Sequence, residues 1–170
     1  LLFGGFINAQ NPIVKRLNIS INKSAFDKNE INAVLVSDIH LGTLTTRHQI
    51  NKLVTEINKI KPDIILLAGD ILDEDVAPVI RKQFDTTLKN ISAPLGIYAV
   101  LGNHEYIGGV EKAKKYLESI GITILQDSSV LINNSFYLIG RDDRTLSSFS
   151  HGNRKTLDKI LEDVDKSYPI

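Results

Sequence analysis

The stretch that decides the fold is Ile64-Ile65-Leu66-Leu67-Ala68-Gly69-Asp70-Ile71-Leu72-Asp73. Five consecutive apolar residues without alternation make a run of strand length, as expected of a strand buried on both faces of a parallel sheet. Gly69 then punctuates the run and Asp70 places a carboxylate just past its end. Upstream, Ile50, Leu53, Val54, Ile57 and Ile60 recur at helical spacing on one face, and this helix stops before Pro62. Gly42 and Thr43 mark the turn before it, and Ala33 to Ser37 form an earlier strand candidate. Downstream, Pro78 sits near the start of a second helix with Ile80, Phe84 and Leu88 on one face. After Pro94 and Gly96, Ile97 to Leu101 read as a third strand; Val110, Ala113, Leu117 and Ile120 mark a third helix, closed by Gly121. Three strand-helix units in succession predict an α/β domain with a largely parallel sheet.

Beyond Gly121 the pattern changes. Ile122 to Leu125, Val130 to Ile132 and Phe136 to Ile139 are short strand candidates for which antiparallel edge pairing is expected, the last two joined by the hairpin signal Asn133-Asn134. A polar loop from Arg141 to Asn153 leads to a last helix with Leu157, Ile160, Leu161 and Val164 on one face.

Composition narrows the classes. The chain has 170 residues, 42% hydrophobic and 24% charged, which suits one soluble globular domain and excludes disorder, collagen and coiled coil. Twenty basic residues balance twenty acidic ones, so no global field favours nucleic acid or an anionic membrane surface. With aromatics at 6% and no basic stripe, no nucleic-acid partner is indicated. The balance is not local: between Pro62 and Asp75 stand five acidic residues and no basic one, a cation-attracting edge. Zero Cys excludes disulfides, thiolate metal sites and a Cys nucleophile. Zero Met, with Leu1 at the start, reads as a processed or trimmed N-terminus. Leu1 to Ile7 is apolar but far shorter than the roughly 20 residues of a membrane span.

Each of the first three strand candidates ends in a polar cluster: Ser37-Asp38-Ile39-His40, Gly69-Asp70, and Gly102-Asn103-His104-Glu105. Asp38 precedes Asp70 by 32 residues and Asp70 precedes Asn103 by 33, about one βαβ unit each. Parallel strands therefore bring all three clusters to the carboxyl edge of the sheet, where open α/β folds place their ligands. Carboxylate, carboxamide and imidazole donors suit divalent Mn, Fe, Zn or similar ions. If the strand end is extended, Asp38 and His40 point to the same side. Asp70, central in sequence, has two oxygens with which to bridge a pair of ions.

In this order and spacing, Asp38-x-His40, Gly69-Asp70 with Asp73, and Gly102-Asn103-His104-Glu105 resemble the calcineurin-like metallophosphoesterases. The resemblance implies a four-layer α/β/β/α sandwich, with its C-terminal part missing from this chain, and a site for two divalent ions. Carried over by position, Asp38 and His40 bind one ion, Asp70 bridges both, Asn103 binds the second and His104 is the catalytic histidine, protonating the leaving oxygen or polarising the phosphate. Ile139-Gly140-Arg141-Asp142-Asp143-Arg144 and Gly152-Asn153-Arg154-Lys155 look like a bacterial, membrane-associated branch, in which a stretch similar to Asn8-Ala9-Gln10-Asn11-Pro12 follows transmembrane helices. On that resemblance residues 1–12 are expected to be an apolar tail ending a transmembrane helix, and 13–170 an incomplete metallophosphoesterase domain. The family pattern also needs further histidines downstream. Only His151 follows His104, and it reads as an exposed loop residue rather than a ligand.

Arg141, Asp142 and Asp143 are candidate substrate contacts, with turn chemistry the competing reading for the two aspartates, and Arg144 and Arg154 are weaker candidates for phosphate. Asp73, Glu74 and Asp75 read as an acidic start of a helix. Glu105, Tyr106 and His48 are assigned surface or packing roles. The expected function is hydrolysis of a phosphomonoester or phosphodiester by metal-activated water, with lipid-linked phosphates favoured by the membrane-associated resemblance. Localisation is expected at a membrane, with a cytoplasmic protein as the alternative. The competing function is a phosphoesterase-fold interaction module without catalysis, motivated by the absent histidines.

Overall fold

Strand β2 (Ile64–Ala68) lies inside a four-stranded parallel sheet in the computed structural model, which describes residues 12–23, 30–149 and 152–170. The apolar opening at residues 1–7 and His151 lie outside the described residues. β1 (Ala33–Val36) pairs with β2, and β3 (Ile97–Val100) flanks β2 on the other side in the register Leu35↔Leu66↔Tyr98. The three strands are therefore the expected ones. β4 (Thr123–Ile124) pairs with β3 in parallel, not in the antiparallel sense expected of its segment. The reason is the helical crossover between them, which returns the chain to the same direction. β5 (Ser128–Ile132) and β6 (Phe136–Gly140) do form an antiparallel hairpin, and Asn133 and Asn134 both take positive φ, 46° and 50°, as a tight primed turn requires.

Helix α1 (Arg47–Ile60) buries Ile50, Val54 and Ile57. Its start is fixed by a reciprocal box in which Thr46 Oγ1 accepts from Gln49 N–H and Gln49 Oε1 accepts from Thr46 N–H. It ends at a left-handed Lys61, just before Pro62.

The second helix departs from expectation. It is two short helices, α2 (Ala77–Arg81) and α3 (Asp85–Leu88), separated at Gln83, whose φ is 54°. That left-handed residue resets the helical phase, so Val79, Phe84 and Leu88 are buried while Ile80 is 54% exposed.

α4 (Asn103–Gly108) and α5 (Val110–Ser119) follow β3, and Gly121 closes the latter region with φ 88°. After α6 (Leu146–Phe149), the last helix is also shorter than expected: α7 (Leu157–Ile160) gives way to turns, so Ile160 and Val164 are buried but Leu157 is 46% exposed.

The core joins one sheet face to α1, α3 and α5 through Ile65, Leu67, Ile57, Leu88, Ala99 and Leu117. Burial of β2 on both faces holds only in part. Ile64, Ile65 and Leu67 are buried, Leu66 is half-buried, Ala68 is exposed, and its β1 neighbour Leu35 is 69% exposed.

Substitutions test this phase assignment. Leu117→Ala, at a side chain with no exposure, is expected to cost about 2–5 kcal/mol in urea denaturation, whereas Ile80→Ala stays within about 0.5 kcal/mol.

Candidate metal centre

The loops leaving β1 and β2 are sewn together by backbone hydrogen bonds, and the β3 loop is tied to them through the Asp70 and Glu105 carboxylates. Asp38, His40 and Leu41 N–H donate to the carbonyls of Gly69, Asp70 and Ile71 at 3.2, 3.0 and 2.8 Å. This ladder runs where the chain is no longer extended, because Asp38, His40 and Asp70 take φ of 54°, 48° and 49°. The i, i+2 alternation of an extended strand therefore does not bring Asp38 and His40 together. Left-handed turns do so instead, at a cost on the order of 1–3 kcal/mol each. Asp38 Oδ1 lies 4.0 Å from His40 Nε2, with the Asp38 side chain mostly exposed.

Asp70 is placed by space as well as by bonds. A Cβ on Gly102 would stand 2.2 Å from Asp70 Oδ1 and 2.6 Å from Asp70 N, so only glycine admits the carboxylate at that position. Asp70 Oδ1 also accepts the N–H of His104 at 3.1 Å. The result is a cluster in which one donor atom each of His40, Asp70 and His104 lies within 4.8 Å of the others. The His40 and His104 rings meet edge to face with centroids 4.5 Å apart. His104 Nδ1 is buried and makes no hydrogen bond. Two imidazoles and a carboxylate of this spacing, one nitrogen lacking a hydrogen-bond partner, are a donor set that fits a divalent cation. Asn103 is the first residue of α4 and half-buried.

Two residues at this centre carry more than the sequence reading gave them. Asp73 was expected to start a helix, but Asp75 does that work, its Oδ1 accepting Ala77 N–H. Asp73 Oδ1 instead stands 3.4 Å from His104 Nδ1 and 3.8 Å from His40 Nδ1. Gly42 makes room for it, since a Cβ there would be 2.7 Å from Asp73 Cβ. The available signal was Asp70-x-x-Asp73, which returns a second carboxylate to the same loop. Glu105 has no exposure, and its carboxylate accepts N–H groups from Asp70, Leu72 and Gly102 at 3.1, 2.7 and 2.8 Å. Burial, helped by the neighbouring Asp70 charge, pushes its carboxyl group above the ordinary value, against the pull of the Leu72 and Gly102 N–H groups.

The loop after His40 is held from outside. Lys82 Nζ donates to the carbonyls of Gly42, Thr43 and Thr45, and Thr45 Oγ1 donates to His40 O at 2.9 Å.

Arg141 and Asp142 bond outside their own loop, and Asp143 within it. Arg141 bonds Asp127 and the Lys155 carbonyl, Asp142 accepts Tyr106 O–H, and Asp143 Oδ1 accepts the N–H and hydroxyl of Thr145. The packing role expected of Tyr106 agrees with its burial; its hydroxyl is pushed up by burial and by the bond to Asp142. His48 lies exposed on α1.

The calcineurin-like phosphoesterase family model matches residues 31–168, and the chain belongs to that family. It is 33% identical over 169 residues to an uncharacterized metallophosphoesterase of Helicobacter pylori, covering 98% of this chain and 43% of that protein. Over 126 residues it is 33% identical to a transmembrane protein with metallophosphoesterase domain from Danio rerio, covering 73% and 28%. Over 95 residues it is 34% identical to the UDP-2,3-diacylglucosamine pyrophosphatase LpxG of Chlamydia trachomatis, covering 55% and 28%. The chain thus spans less than half the length of these relatives. Among the described residues no helix is long and apolar enough to cross a membrane.

Two outcomes follow from this geometry. Gly102→Ala is expected to displace Asp70, lowering stability by about 1–3 kcal/mol and Mn²⁺ affinity by roughly 10–100-fold in calorimetric titration. Gly121→Ala meets nothing within 4 Å of its Cβ but is strained by its φ of 88°, so it is expected to cost stability without displacing Asp70. At Asp127, burial pushes the carboxyl up, but N–H donors from Asp142 and Lys155 and the Arg141 guanidinium outweigh it and hold the group below its usual value. Such a carboxylate stabilises the fold above its unfolded pKa and loses that contribution as pH falls through the folded one. The stability gap between wild type and Asp127→Asn is therefore full near neutrality, and in urea melts it closes as pH drops below about 4.

Proposed function

We propose that the protein is a dinuclear-metal-dependent phosphoesterase that hydrolyses a phosphomonoester or phosphodiester. The observation that carries this reading is the gathering of His40, Asp70 and His104 donor atoms within 4.8 Å at the carboxyl edge of the parallel sheet. In this reading Asp38 and His40 would hold one ion, Asn103 the other, and Asp70 would contribute to both. Divalent ions bound there supply Lewis-acid polarisation of the phosphoryl oxygens and lower the pKa of a water.

The protein's own groups do the rest. Asp73 Oδ1 stands 3.4 Å from the His104 ring, and His104 is assigned to deliver a proton to the departing oxygen. The His104 N–H holds the Asp70 carboxylate in place. The loop of Arg141, Asp142 and Asp143 is assigned to the substrate side of the site, with Asp127 bracing it through Arg141 and the Asp142 N–H.

Residues 13–170 are read as the phosphoesterase domain, and a membrane location is part of this proposal. The names of the Danio rerio and Chlamydia trachomatis relatives support an attachment to membranes and a lipid-linked phosphate substrate.

The test is hydrolysis of aryl phosphomonoesters and diesters by the full-length protein with Mn²⁺. Chelator is expected to abolish turnover and Asp70→Asn to remove it, while His104→Asn lowers kcat by about 10²–10⁴-fold. Turnover that survives both chelator and Asp70→Asn contradicts the reading.

A further inference from the structure

We infer that Glu105 is the positioning residue of the metal centre: its buried carboxylate, through the N–H groups of Asp70, Leu72 and Gly102, fixes the β2 and β3 loops at the separation the ligands need. The inference rests on the metal-centre reading above and concerns a residue that touches neither ion nor substrate.

A fully buried carboxylate is costly unless hydrogen bonds compensate it. The bonds recorded for Glu105 all come from backbone, with no Lys or Arg among them. Oε1 takes the Leu72 N–H, and Oε2 takes both the Asp70 and Gly102 N–H groups. Three N–H donors thus converge on the two oxygens of one side chain. An apolar side chain of similar volume would fill the space and leave the three N–H groups without an acceptor.

What those N–H groups belong to decides the role. Asp70 is left-handed, a conformation that persists only where its surroundings hold it, and Glu105 bonds its own N–H and that of the residue two further on. The Asp70 and Ile71 carbonyls in turn accept the N–H groups of His40 and Leu41, and the Asp70 carboxylate accepts that of His104. Every donor of the cluster is thus within a short hydrogen-bonded path of one carboxylate. A shift at Glu105 moves Asp70 first and the two histidines with it.

The test is Glu105→Gln in the full-length protein, which keeps volume but turns an N–H₂ toward an N–H donor. Its Mn²⁺ affinity is expected to fall roughly 10–100-fold, as for loss of other groups that orient metal ligands. At saturating Mn²⁺, kcat on an aryl phosphate falls while KM stays within about twofold. Val54→Ala, in the α1 core, is the control for stability loss alone and binds Mn²⁺ as wild type does. Wild-type affinity and kcat in Glu105→Gln overturn the inference, as does an equal loss in Val54→Ala. A wild type that binds no Mn²⁺ removes the function proposed above and this inference with it. Should Glu105→Gln fail to fold, amide exchange of the wild type decides. Protection of the Asp70, Leu72 and Gly102 amides equal to that of β2 supports the inference, and rapid exchange overturns it.

Discussion

The arrangement depends on how closely the β2 and β3 loops approach one another at Gly69 and Gly102. A Cβ on Gly69 would lie 3.1 Å from Gly102 Cα, and one on Gly102 would strike the Asp70 carboxylate. Two glycines without side chains let one carboxylate sit between two strand ends, and nothing larger fits. From that contact the rest follows. Asp70 takes the His104 N–H, α4 starts against it, and the β1 loop is sewn onto the same turn through the carbonyls of residues 69–71. The sheet supplies direction, but this contact sets the distances on which any chemistry would depend.

Most of the fold was legible in the residues. The parallel order β1-β2-β3 was carried by three apolar runs at even spacing with helical periods between them, and the hairpin by Asn133-Asn134. What escaped has local causes. Ile80 was assigned inward because a single helix was assumed. A left-handed Gln83 breaks it, and no side-chain pattern announces a left-handed glutamine. The direction of β4 was missed because its segment is apolar at Ile122, Ile124 and Leu125 with either pairing; the crossover through α5 decides it.

The centre was legible in its residue types and only partly in its geometry. Spacing brought Asp38, Asp70 and Asn103 to one edge, but the argument that Asp38 and His40 share a side assumed extended chain, and both are left-handed. Asp73 was assigned to a helix start because acidic runs usually serve there. Asp75 takes that task, and Asp73 is left to face two imidazoles. Glu105 was assigned a surface or packing role; it is buried, and the three N–H groups it accepts belong to ligand-bearing loops, which only three-dimensional contact reveals.

The proposed role of Asp70 as the shared ligand of a metal pair is tested directly by electron paramagnetic resonance of the full-length protein loaded with Mn²⁺. The expected spectrum is that of an exchange-coupled pair of ions bridged by a common group. The hyperfine pattern of isolated, uncoupled Mn²⁺ at full occupancy would contradict it.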